Sequence, residues 1–223
     1  MSTRTEFSPS VSFRDRWVRL SNIPLRFRSS RVEDLDTDVA PVVSTWVKAV
    51  LDGKIIQAQG FSTVGKGLFL YGPPGRGKTT LASAAVMDIL RTASPSVLKT
   101  GSSMPQRPAY FTTYPEFLRL QKRSWDGDED AALLVDRIFG EADDPIGILV
   151  LDDLGKEHST ASGYAENVFD QLLRRRFDLG LPTLVTTNTP VAKWGDVYGE
   201  AMGSFAREAA FSLEILADGG DRR

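Results

Sequence analysis

Short apolar runs alternate with longer amphipathic stretches from Gly67 onward. Residues 68–71, 109–113, 146–151, 183–187 and 213–216 are brief, continuous and rich in Leu, Val, Ile and aromatic side chains. Between them lie segments of helical period at 79–92, 116–123, 131–141, 165–179 and 201–210. Strands buried on both faces lose their polar/apolar alternation, so the pattern predicts a parallel sheet covered by helices on both sides. Upstream, Phe13, Trp17 and Leu20 recur at i, i+4 and i+7, with Arg14, Arg16 and Arg19 off that face. They predict a short amphipathic helix from Ser12 that ends before Asn22-Ile23-Pro24. Val39, Val43, Trp46, Val47 and Val50 predict a second helix over 39–51. Residues 1–11 have a disordered composition, and 94–108, rich in Ser and Pro, reads as a long, mobile polar connector.

Bulk properties narrow the class. The chain has 223 residues, 41% of them hydrophobic and 25% charged, which suits one large α/β domain with a short appendage. It has no cysteine, which excludes a disulfide framework and a thiolate zinc site. Its one histidine, His158, reads as a surface residue. No apolar run approaches the length of a membrane span and no signal-peptide core is present, so the expected location is the cytoplasm, without membrane contact. Net charge is −2, but arginines crowd the N-terminus and acids cluster at 33–38 and 126–130. Contact with nucleic acid would therefore be local.

Candidate chemistry centres on Gly72-Pro73-Pro74-Gly75-Arg76-Gly77-Lys78-Thr79-Thr80, between a predicted strand and a predicted helix. The segment fits the P-loop pattern. Glycines let several N–H groups face one anion, and the helix start adds positive potential there. Lys78 is expected at the β- and γ-phosphates of ATP, and the Thr79 hydroxyl at Mg²⁺. The run Ile148-Leu149-Val150-Leu151 is followed by Asp152 and Asp153. A buried strand ending in two carboxylates places them at the sheet edge that carries the phosphate loop. Asp152 is expected to bind Mg²⁺ and Asp153 to orient or deprotonate the attacking water. A third strand ends in Thr186-Thr187-Asn188, where Asn188 can sense the γ-phosphate or hold the water; Thr and Asn at a strand end also commonly form turns.

In the order GPPGRGKT, ILVLDDLG, TLVTTN, SFARE and GGDRR, the chain resembles the AAA+ ATPases of the DnaC/DnaI-type helicase loaders and the related IstB group. The likeness spans about residues 23–223 and implies a P-loop AAA+ core, parallel sheet and flanking helices, without a C-terminal lid. It leaves residues 1–22 as a partner-docking arm. It implies Asn188 as the polar sensor, Arg207 as an arginine finger for a neighbouring subunit's ATP, and Arg223 as a terminal sensor. Phe27 falls where an aromatic borders the adenine. Asp153 stands where many AAA+ proteins carry glutamate, which implies slow hydrolysis. Trp125, and Ser162 with Tyr164, match positions that touch single-stranded DNA. Independently, an aromatic stacks on any base, and Lys122, Arg123 and Arg174 to Arg176 could neutralise phosphates. The implied function is loading of a hexameric, DnaB-like replicative helicase onto single-stranded DNA, with self-association into a ring or spiral. The alternatives are an IstB-type transposition helper, a small-molecule kinase, and an adaptor switched by nucleotide.

Overall fold

The computed structural model describes residues 9–58, 60–101, 104–155 and 163–215, with side chains from residue 13 onward. Five strands form one sheet: β1 (Gly67–Tyr71), β2 (Ala109–Thr113), β3 (Ile148–Leu154), β4 (Thr183–Thr187) and β5 (Ala210–Glu214). Their order is β2-β3-β4-β1-β5 and every pairing is parallel. The helices are α1 (Pro9–Leu20), α2 (Ala40–Leu51), α3 (Lys78–Thr92), α4 (Tyr114–Trp125), α5 (Glu129–Phe139), α6 (Tyr164–Asp178), α7 (Trp194–Tyr198) and α8 (Glu200–Ala209).

Successive strand residues point to opposite faces, so each central strand feeds two cores. Leu68, Leu70, Ile148, Val150 and Leu184 pack with α1, α2 and α3. Phe69, Leu149, Leu151 and Val185 pack with α4, α5, α6 and α8. This two-sided burial explains the continuous apolar runs. The predicted last strand is displaced: β5 begins at Ala210 and follows α8 directly, because Ala209 and Ala210 pack inward where the helical pattern was expected to continue. The short α7 was not predicted; its Trp194 is fully buried against Phe69 and Phe169.

Two expectations about the periphery are revised. Trp17, expected on a docking face, is 1% exposed in the α2–α3 core, and its indole N–H donates to the Pro105 carbonyl at 2.8 Å. The apolar face of α1 is thus partly spent on the sheet domain, while Phe13 remains 41% exposed. The connector after α3 is likewise packed. Leu98 is fully buried, and the Thr100 hydroxyl donates to the Pro145 carbonyl at 2.9 Å. The outer edge of β2 is covered by the chain leaving α1. The Phe111 N–H donates to the Ser21 carbonyl at 2.7 Å, and the Asn22 amide donates to the Phe111 carbonyl at 2.9 Å. Asn22 holds a φ of +59°, a conformation asparagine tolerates better than most residues. Among the described residues no helix is long and apolar enough to cross a membrane.

Candidate active site

The site lies at the carboxyl ends of β1, β3 and β4, where open parallel sheets hold ligands. After β1 the backbone turns through Gly72 at φ +143°, and a Cβ there would lie 2.5 Å from the Ile215 carbonyl oxygen. Gly77, at φ +81°, is the left-handed residue from which α3 starts. A side chain at either position would strain the curl that aims backbone N–H groups and the α3 N-terminus into one space. Lys78 is 8% exposed, and its ammonium donates to the carbonyls of Gly72 and Pro73, both at 2.8 Å. The lysine lies folded over the cradle that it is expected to serve.

The second wall comes from β3. Asp152 is 5% exposed and accepts hydrogen bonds from the hydroxyls of Thr79 (2.8 Å) and Thr186 (2.5 Å). Asp153 follows with φ +60°. Asn188, just beyond β4, is exposed. These residues line one cleft of about 530 Å³ with Pro74, Gly75, Arg76, Gly77, Lys78, Thr79, Thr80, Arg26 and Phe27. Gly72 and Pro73 act instead through their carbonyls on Lys78. The Arg26 guanidinium lies over the Phe27 ring at 4.6 Å from its centroid. An adjoining recess of about 210 Å³ shares Arg76, Gly77 and Thr80, and adds the apolar Leu35, Leu81 and Ile215. Sequence reasoning missed this recess, because Leu35 and Ile215 come from opposite ends of the chain and carry no local signal.

The donor set fits a triphosphate and a hard cation. The glycine turns leave room for backbone N–H groups to meet phosphate oxygens, and Lys78 supplies a positive charge. Thr79 and Asp152 offer adjacent oxygens of the kind Mg²⁺ prefers. A hydroxyl that donates to a carboxylate keeps its lone pairs for a cation.

Arg207 sits on α8, exposed and outside this cleft. Trp125 and Tyr164, far apart in sequence, stand edge to face with ring centroids 5.5 Å apart. Trp125 is 66% exposed, and the Tyr164 hydroxyl donates to the buried Gln121 amide oxygen at 2.6 Å. Partial burial pushes the Tyr164 phenol above its ordinary pKa, so the ring is uncharged at neutral pH. Ser162, Arg223 and His158 lie outside the described residues.

The arginine run expected to meet phosphates is corrected. Arg176 is fully buried, and its guanidinium donates to Thr183 Oγ1 and to the carbonyls of Ile138, Ile146, Gly147 and Pro182. These partners adjoin the strand starts, at the sheet end opposite the cleft. Arg174 pairs with Asp170 at 2.9 Å and lies over Phe205, and Arg175 approaches Glu141 at 3.8 Å. Arg123 is held by Asp128, whereas Lys122 is exposed.

The chain matches the family described as "ATPase family associated with various cellular activities (AAA)" over residues 68–192, more than half its length. Comparison with curated protein sequences gives no match. Solved structures share the fold. A structure of DnaI aligns at TM-score 0.63 with 22% identity, covering 92% of this chain and 100% of that one. The DnaC helicase loader aligns at 0.62 with 21% identity, covering 86% and 100%. AMPPCP-bound DnaA from Aquifex aeolicus aligns at 0.57 with 16% identity, over 88% of this chain and 52% of that one.

Proposed function

The chain belongs to the AAA family of ATPases, and from that premise we propose that it loads a hexameric replicative helicase onto single-stranded DNA in an ATP-dependent manner. The observation that carries this reading is the fold likeness to DnaI and to the DnaC helicase loader, which takes in the whole of both those chains.

In this reading Lys78 leaves its two carbonyl partners for the β- and γ-phosphate oxygens, exchanging neutral acceptors for anionic ones. Thr79 and Asp152 would hold Mg²⁺, which would supply charge neutralisation to the phosphates. Asp153 orients the water and takes its proton as the water oxygen bonds to the γ-phosphorus and the bond to ADP breaks. Asn188 positions the same water and senses whether the γ-phosphate is present. Arg207 of one copy completes the site of the next, so turnover depends on assembly into a ring or spiral.

Single-stranded DNA meets the Trp125–Tyr164 pair, where Trp125 stacks on a base of any sequence and Lys122 lies near the backbone. Ser162 and Arg223 keep the roles implied by the resemblance. The segment 1–22 docks the helicase through the part of α1 that the core leaves open, around Phe13. Residues 23–223 form the ATPase.

Native mass spectrometry of the full chain with the cognate hexameric helicase tests the loader role. A complex that changes stoichiometry between ATP and ADP is expected, and Phe13→Ala should weaken it. Truncating the arm is the poorer test, since it removes the core residue Trp17. Absence of a complex in every nucleotide state refutes the loader role and leaves the ATPase assignment standing.

A further inference from the structure

Consecutive residues of a regular strand point to opposite faces of the sheet. Asp152 shares its face with Ile148 and Val150, toward α3 and Thr79. In unbroken β geometry Asp153 would point toward the α4–α6 side, away from the phosphate loop. Both carboxylates nevertheless line the same cleft. The β3–β4 ladder shows how. Leu149, Val150 and Leu151 pair with Thr183, Leu184 and Val185, but the next pair is Leu154 with Thr187. Beyond Leu151, β3 therefore advances one residue further than β4, and Asp152 and Asp153 together stand opposite Thr186. This is a β-bulge, which re-aims a side chain and strips an amide of its ladder partner. The φ of +60° at Asp153 is the local strain it carries, a conformation that non-glycine residues hold only when their surroundings enforce it.

We propose that the Thr186 hydroxyl is the lock of this bulge and so a positioning residue for ATP hydrolysis; the proposal rests on the ATPase reading of the cleft. The hydroxyl accepts the displaced Asp153 N–H at 3.0 Å and donates its own proton to Asp152 Oδ1. One side chain thus ties the backbone of the water-handling residue to the carboxylate of the metal-binding residue. It is 1% exposed, on a strand held between β1 and β3, so the tie is anchored to the centre of the sheet. Valine fills the same space but can neither accept from the Asp153 amide nor donate to Asp152. Serine can do both.

The test compares Thr186→Val and Thr186→Ser in the full chain. Thr186→Val should lower kcat for ATP by at least about 10-fold, as expected when a catalytic group is misplaced by a fraction of an ångström. It should also raise the Mg²⁺ concentration for half-maximal rate, while Mg²⁺-free ADP affinity stays within about threefold, since a purely phosphate-binding contact is untouched. Thr186→Ser should retain wild-type kcat and Mg²⁺ dependence within about threefold. A Val variant with wild-type values, or a Ser variant as impaired as the Val one, overturns the proposal. Amide hydrogen exchange on the unmodified protein gives a second reading that needs neither variant nor turnover. The Asp153 amide should be protected by at least about 100-fold over an unstructured peptide. An unprotected Asp153 amide overturns the lock. Wild-type protein that fails to hydrolyse ATP overturns the ATPase reading instead, and the exchange result still decides the lock.

Discussion

Replacing Arg176 by Met separates a core clamp from a phosphate contact. All five guanidinium N–H groups have acceptors: Thr183 Oγ1 at 3.0 Å, and the carbonyls of Ile138, Ile146, Gly147 and Pro182 at 2.7 to 3.2 Å. Burial pushes the Arg176 pKa down to about 9, so the group is still charged at neutral pH. Between about 9 and the ordinary, higher value of a guanidinium the unfolded chain holds this proton and the folded chain releases it. Stability therefore rises with pH across that window, and below it this group contributes no pH dependence. A melt at pH 7.5 reads the clamp alone.

Methionine roughly fills the volume but removes one donor from each of four carbonyls and a hydroxyl, of which the Pro182 carbonyl keeps the Leu149 N–H at 3.2 Å. The gain from not burying a charge offsets part of that loss. Breaking a buried charged network from one side typically leaves a net cost of about 3–5 kcal/mol. At about 2–4 °C per kcal/mol for a chain of this size, Tm should fall by about 6–20 °C. Far-UV circular dichroism melts measure it, alongside single-stranded DNA binding over a salt series at a temperature where both proteins are folded. A phosphate contact would remove about 0.7 from the salt slope; the clamp predicts an unchanged slope. A variant that melts within about 2 °C of wild type, or one that loses DNA affinity with its Tm intact, refutes the reasoning.

Lys78→Ala should abolish ATP binding in calorimetry, whereas Asp153→Asn should keep binding and lower kcat by at least about 100-fold; equal binding losses would remove the division of labour between the two walls. Arg207→Ala should bind ATP normally but turn over slowly, and mixing it with Asp153→Asn should restore part of the rate, because hybrid interfaces pair an intact arginine with an intact aspartate. No recovery on mixing argues against action across subunits. Trp125→Ala should weaken single-strand binding by about 1–3 kcal/mol in fluorescence anisotropy without changing ATP affinity; unaltered binding would leave Trp125 as a surface ring resting on Tyr164.

The glycine loop was legible because its geometry is local. Gly72 through Thr80 form one turn and one helix start directly after β1. The strand-end acids and the two-sided sheet were legible for a similar reason: burial on both faces leaves an uninterrupted apolar run at 148–151 and, after the buried Thr183, a second at 184–185. The last strand was misplaced, because Ala209 and Ala210 fit a helix interior as well as a buried strand start. Arg174 to Arg176 read as one basic face, yet their fates diverge at successive positions, since helical rotation turns Arg176 inward and leaves Arg175 outside.

By itself the sequence determined where the glycine loop and the strand-end acids stand and on which kind of scaffold, since both follow from contiguous spacing and hydrophobic period. Only the tertiary structure decided that Trp17 belongs to the core, that Trp125 meets Tyr164, that Arg176 clasps the strand starts, and that Thr186 bridges Asp152 and Asp153. Each of these is a pairing between segments remote along the chain, and packing selects such pairs only once the sheet has brought its strands together.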